Sequence, residues 1–334
     1  MRKPTRPREY GRGERVLPGV WRLRLPLPFP GVPHVNAWAL GAGDGIVLVD
    51  AGLHGRGTLA DLERALDQTG HRVEDVRLIV ITHAHVDHCG QAPLLAERAG
   101  CEVWIHPAFR RHALSDANAE RRLERMVEVA LQGGVPEERV RGWAERTAAL
   151  GTGQAGELRS DRDLVDGVEV ATDAGRWQVV ETPGHAPSHV CLHQPEQRLL
   201  LSGDHLMGRV SLVFEVGFTP DPVGEFLTSL DRVDALDARL ALAGHARPFT
   251  DVRGHVQANR ELVRERLRAA RAAFVAGPLT AHELARAVYG ERYVEDLHGL
   301  LLAKAFAWIA HLAQRGEIAS DGGSPERWSA TAAT

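Results

Sequence analysis

Lysine is almost missing from this 334-residue chain: Lys3 and Lys304 stand alone, and the other 38 cationic residues are arginines. The bias runs the whole length and reads as genomic base composition. Aromatic residues are scarce at 5%, which counts against a surface that holds single strands by stacking bases on rings. Cysteine is scarce too. Cys89, Cys101 and Cys191 are scattered, so no disulfide framework is expected and a reducing cytoplasm is the expected compartment. Charge of one sign is lacking, since a net −4 and a pI near 6.5 supply no overall basic field for nucleic acid. Long apolar runs are lacking as well. The most apolar stretch, 297–313, is interrupted by His298, Lys304 and His311 and predicts an amphipathic helix with Lys304 and His311 on one polar face, with no membrane partner. The first residues are basic without a following apolar core, which predicts a loose tail over 1–15 and no secretory leader.

What is present is an ordinary globular balance, 44% hydrophobic and 25% charged, in a length that suits two domains or one large domain with an appendage. From Val16 short β-prone runs alternate with glycine and aspartate, and 76–81 is a nearly continuous apolar run that predicts a strand buried on both faces. Helical spacing follows at 58–68 and 92–99, so strand and helix alternate as in layered α/β folds. Residues 108–150 break that rhythm with a predicted helical insertion. Beyond 254 come an arginine-studded helix over 255–275, a second opened by Thr280 and Glu283 in a capping-box pattern, a third over 297–314, and a short strand-like end. Helices followed by a small β-wing outline a winged-helix-like unit over 255–334, with a frayed last dozen residues.

Seventeen histidines matter less by number than by clustering. Directly after the 76–81 run, His83, His85, Asp87 and His88 fall within six residues. Two residues apart, His83 and His85 can face one side of an extended chain, while Asp87 and His88 enter the next turn. Imidazole and carboxylate in this pattern are donors for zinc, iron or manganese. Three further apolar runs end in glycine and a ligand-type side chain: Gly184-His185, Gly203-Asp204 and Gly244-His245. Any one of them is an ordinary loop. Their repetition at strand ends, where α/β folds place their active sites, is the signal.

With Asp50-Ala51-Gly52 ahead of them, these motifs follow in order over about 16–254, and the chain resembles the metallo-β-lactamase superfamily. The resemblance implies an αββα sandwich with two divalent cations, zinc expected, on one edge. One cation would sit on His83, His85 and His185, a second on Asp87, His88 and His245, with Asp204 bridging and Asp50 orienting the cluster from behind. Two such ions about 3.5–4 Å apart share and activate a water, so hydrolysis by hydroxide attack is expected, with Asp87 and Asp204 taking part. The expected substrate is a small-molecule ester or thioester. An endoribonuclease with the same metals and a non-enzymatic regulator are the alternatives, and a homodimer is compatible with the C-terminal part. The arginines of 253–271 form a stripe that reads either as a phosphate-binding surface for RNA or coenzyme A, or as a solvated helix face. His189, His193, His205 and Cys89 are expected to be structural, and His34 and Asn36 to stand near the pocket.

Overall fold

In a computed structural model, residues 10–29, 31–111, 116–149, 151–294 and 299–331 are described. Strands β1 (Arg12–Leu17), β2 (Val20–Phe29), β3 (Val32–Ala42) and β4 (Gly45–Val49) form an antiparallel meander. The sheet continues in parallel through β5 (Val76–Ile81), β6 (Glu102–Ile105) and the short β7 (Arg162–Asp163). Helices α1 (Thr58–Asp67), the single turn α2 (Val86–Cys89) and α3 (Ala92–Ala99) lie within this half. The insertion contributes α4 (Asp116–Gln132) and α5 (Glu137–Ala149). A second sheet holds β8 (Glu169–Thr172), β9 (Gly175–Glu181), β10 (Val190–Gln194), β11 (Leu199–Gly203) and β12 (Leu240–Ala243), with α6 (Pro222–Ala235) crossing between the last two. The chain ends with α7 (Val252–Ala276), α8 (Ala281–Tyr289), α9 (Glu291–Val294), α10 (Leu300–Gln314) and a ribbon of β13 (Ile318–Ser320) and β14 (Trp328–Ala330).

Three apolar layers make this an αββα sandwich. Between the sheets, Trp38, Val47, Val49 and Val80 meet Trp177, Val190, Leu192, Leu201 and Leu242. The outer face of the first sheet buries Leu48, Ile79 and Ile81 with Leu62, Leu66 and Leu95 of α1 and α3. Cys191, Leu200 and Ala241 on the outer face of the second sheet share one core with Phe226, Val263, Leu284 and Trp308 of α6, α7, α8 and α10. The near-continuous apolar strands β4, β5, β11 and β12 are the sequence image of burial on both faces.

The C-terminal helices therefore pack as the fourth layer of the sandwich, and the insertion leans on them: Gly133 O accepts the His282 backbone N–H at 2.9 Å. Three expectations change at the edges. Residues 12–15, assigned above to a loose tail, lie in edge strand β1, because Gly11 and Gly13 let the chain press onto α1; a Cβ on Gly11 would lie 1.7 Å from Asp61 O. Residues 1–9 of that tail and 297–298 of the apolar stretch lie outside the described residues. Within the end expected to fray, Trp328 pairs with Ser320 and exchanges backbone hydrogen bonds with Leu279. His311 is buried rather than on the polar face, 2.9 Å from Asp221, whose carboxylate also caps α6.

The arginine stripe on α7 is neutralised by its neighbours. Arg253 and Arg260 pair with Asp234 and Asp231, Arg264 and Arg268 with Glu261, Arg266 with Glu265, and Arg271 with Glu317. That pattern fits a solvated, salt-bridged helix face.

Candidate metal centre

Four strand ends converge on one edge of the sandwich. β5 runs straight into His83 and His85, α2 carries Asp87 and His88, the turn after β9 carries His185, and β11 and β12 end at Asp204 and His245. Close approach of the strand ends demands glycine. A Cβ on Gly244 would lie 2.3 Å from Asp204 Oδ1 and 2.7 Å from the His88 ring, and Gly203 sits at φ +47° with His189 Nε2 2.6 Å from where a Cβ would lie. Asp50 itself has φ +63°, an uncommon backbone state that aspartate tolerates better than most residues.

All seven predicted ligand side chains meet there. His83 Nε2 and His85 Nδ1 are 3.0 Å apart, His85 Nδ1 and His185 Nε2 3.0 Å, and His83 Nε2 and His185 Nε2 3.3 Å. Beside this triangle, His245 Nε2 lies 3.3 Å from both Asp87 Oδ2 and Asp204 Oδ2, and His88 Nε2 lies 3.4 Å from Asp204 Oδ1. Asp204 Oδ2 is also 3.7 Å from His185 Nε2, so its carboxylate stands between the two groups. His83, His88, His185 and Asp204 are buried, while His85, Asp87 and His245 stay partly open and form the accessible side.

The outer nitrogens decide which way the lone pairs point. Thr82 Oγ1 lies 2.9 Å from Asp50 Oδ2; a carboxylate only accepts, so the hydroxyl donates there and receives His83 Nδ1–H at 3.0 Å. His88 Nδ1–H donates to Asp50 Oδ2 at 2.8 Å, His185 Nδ1–H to Val213 O at 3.0 Å, and His245 Nδ1–H to His34 O at 2.9 Å. In its neutral form each of these four rings is left with an inward lone pair on Nε2. The Nε2 lone pairs of His83 and His185, 3.3 Å apart, repel, and His88 Nε2 and Asp204 Oδ1 are buried without a hydrogen-bond partner. A cation cures both defects. Tetrahedral zinc with Zn–N bonds of about 2.0–2.1 Å places its nitrogens about 3.3–3.4 Å apart, close to the observed triangle.

The electrostatics agree. Burial and the neighbouring His88, His85 and His185 push His83 well below the usual imidazole range, and burial with His85 takes His185 to about 4. Burial opposes charge on His245 and His88 too, but Asp204 and its fellow carboxylates outweigh it, raising His245 to about 10 and His88 well above its ordinary value. Burial would raise Asp87, yet His88 and His245 bring it down to about 2, and the same two hold Asp204 well below the usual carboxylate range. Without metal, the second group of ligands is thus a compact set of imidazoliums and carboxylates.

Asp50 stands behind His88, outside the ligand groups, and also accepts the Thr82 backbone N–H at 2.8 Å. His189 accepts the Asp204 backbone N–H at 3.0 Å through Nε2, which braces the Asp204 turn. His205 packs on Phe226, His193 is buried in β10, and Cys89 is buried and in no disulfide. His34 and Asn36 scaffold the His245 loop: the Asn36 backbone N–H donates to Gly244 O at 2.7 Å and its Nδ2 to Ala243 O at 2.8 Å.

Two residues escaped the sequence reading. Arg22 is buried, gives Nε–H to Asn36 Oδ1 at 2.8 Å and also reaches Ala246 O; its sharing of a strand face with Val20 was the available signal. Glu215 faces His85, and nothing in the spacing around it marks it.

Comparison with known proteins agrees with this picture. Over 285 residues the chain is 26% identical to the "Probable metallo-hydrolase YqjP" of Bacillus subtilis (strain 168), covering 82% of this chain and 86% of that protein. It is 23% identical over 222 residues to the "Atrochrysone carboxyl ACP thioesterase" of Aspergillus fumigatus, covering 66% of this chain and 54% of that one. The crystal structure of metallo-beta-lactamase family protein TTHA1429 from Thermus thermophilus superposes with a TM-score of 0.78 at 31% identity, over 95% of this chain and 100% of that chain. The family model for the metallo-beta-lactamase superfamily matches residues 30–245, the span that carries every motif named above, and the chain belongs to that superfamily.

Proposed function

We propose that the chain is a dinuclear metal-dependent hydrolase of a small-molecule ester or thioester, with zinc as the metal. The observation that carries this reading is the set of five imidazoles and two carboxylates aimed at two adjacent points, four of the imidazoles pinned by an outward hydrogen bond. His83, His85 and His185 would hold one ion, Asp87, His88 and His245 the other, and Asp204 would reach both. Bound there, two divalent cations lower the pKa of water from about 15.7 toward 7 and polarise the attacked carbonyl. The residues supply the rest. Asp50 and Thr82 hold His88 and His83 from behind, so the donor set cannot relax away from the centre. The substrate approaches from the open side formed by His85, Asp87 and His245. Asp87, partly exposed there, would pass the proton of the attacking water to the leaving group.

The thioester preference draws support from the similar fungal protein named as a carrier-protein thioesterase. We further propose that the described residues of 255–334 form a winged-helix-like unit beside the catalytic sandwich. The test is metal content per chain, followed by a panel of thioesters, lactones, a β-lactam and single-stranded RNA, comparing wild type with Asp204→Ala. Two metal equivalents and thioester or ester turnover lost in Asp204→Ala support the reading. A metal-loaded protein inactive on every ester and thioester removes it.

A further inference from the structure

The four histidines whose outer nitrogens are hydrogen-bonded leave one exception. His85 meets its two partners through Nδ1, so Nε2 is its outer nitrogen, and what faces that nitrogen is a carboxylate: Glu215 Oε2 at 3.6 Å. We propose that Glu215 is a positioning residue for the metal centre, holding the His85 proton on Nε2 so that the Nδ1 lone pair points at the site shared with His83 and His185. The inference rests on the metal reading above and assigns a role to a residue 30 positions beyond His185, in a stretch without a motif.

The segment carrying Glu215 is built for the task. Val213 O accepts His185 Nδ1–H at 3.0 Å, and the Glu215 backbone N–H donates to His185 O, also at 3.0 Å. One three-residue stretch therefore fixes the outer faces of two of the three histidines. Between these two residues, Phe214 points the opposite way into the core, edge-on to Phe226 (5.5 Å between ring centroids) and to Trp308 of α10 (5.3 Å). Phe214 and Glu215 face opposite ways, core and site, so a slip of one residue would replace the carboxylate with a phenyl ring. Outer carboxylates on metal-binding histidines fix both tautomer and ring orientation, and their loss commonly costs 10- to 100-fold in metal affinity.

Competition titration of the metal-free protein with Zn²⁺ against a chromophoric chelator provides the test, with Co²⁺ absorption as the report on coordination. In Glu215→Ala we expect one of the two metal equivalents to weaken about 10- to 100-fold while the other is unchanged, with Glu215→Gln, which keeps an acceptor oxygen, recovering most of the loss. Nitrogen NMR of the loaded wild type is expected to show His85 coordinated through Nδ1 with a protected Nε2–H that is lost in Glu215→Ala. Two unaltered equivalents in a folded Glu215→Ala, or His85 coordinated through Nε2, overturn the proposal. Failure of the wild type to bind metal at all instead overturns the hydrolase reading.

Discussion

At the residue scale the centre is governed by how protons are shared between histidines and carboxylates. In the metal-free protein His245 keeps its proton up to about pH 10, because Asp204 and Asp87 outweigh the cost of its burial, and His88 is raised in the same way. A raised pKa means that the protonated form dominates below it, so throughout the neutral range an incoming cation displaces protons. Metal affinity is therefore expected to rise with pH between about 6 and 8, by up to about tenfold per unit for each proton released. A competition titration across that range checks it, and a flat profile counts against the ligand set. Gly244→Ala is a second test: its methyl group meets Asp204 Oδ1 and His88, so metal content should drop while secondary structure by circular dichroism is retained. The convergence of the seven candidate ligand positions was legible in the sequence because each follows an apolar strand, often with a glycine beside it. Glu215 was not, because only packing brings it to His85, and Arg22 reads from sequence as one more arginine in an arginine-rich chain.

At the element scale, strand ends do the placing. β5 and α2 bring four candidate ligands from six consecutive residues, while at the end of β12 Asn36 of β3 helps tie down the Gly244 and Ala243 backbone beside His245. Removing the Asn36 amide takes one donor from each of the Ala243 and Ala246 carbonyls and leaves the buried Arg22 Nε–H without its acceptor. Asn36→Ala should cost about 1–3 kcal/mol in thermal or denaturant unfolding. On the far side, Thr280 and Glu283 form a reciprocal capping box at the start of α8. Thr280→Ala should cost about 1 kcal/mol and leave metal binding alone, a control that separates helix stability from the centre. The capping box was readable directly from residue type and spacing. The strand at 12–15 and the burial of His311 were not, since one depends on a glycine contact with α1 and the other on a carboxylate 90 residues away.

At the scale of the whole molecule, the outer layer formed by α6, α7, α8 and α10 is part of the machinery of the edge. Trp308 packs on Phe214, and of the residues flanking Phe214, Val213 O accepts from His185 and Glu215 faces His85. Trp308→Ala should destabilise the chain by about 3–5 kcal/mol, as for other large-to-small changes at buried aromatic positions. It should also loosen the three-histidine site before global unfolding, read as earlier metal release on heating. The layering was foreseeable from the alternation of apolar strands and amphipathic helices, whereas the sharing of one core between sandwich and C-terminal helices was not, because it depends on which helix faces meet. The most direct measurement of the central claim is anomalous diffraction from crystals of the zinc-loaded protein. The account predicts two peaks about 3.5–4 Å apart, one enclosed by His83, His85 and His185 and the other by Asp87, His88 and His245, with Asp204 in reach of both. A single peak, or peaks away from these side chains, would contradict it.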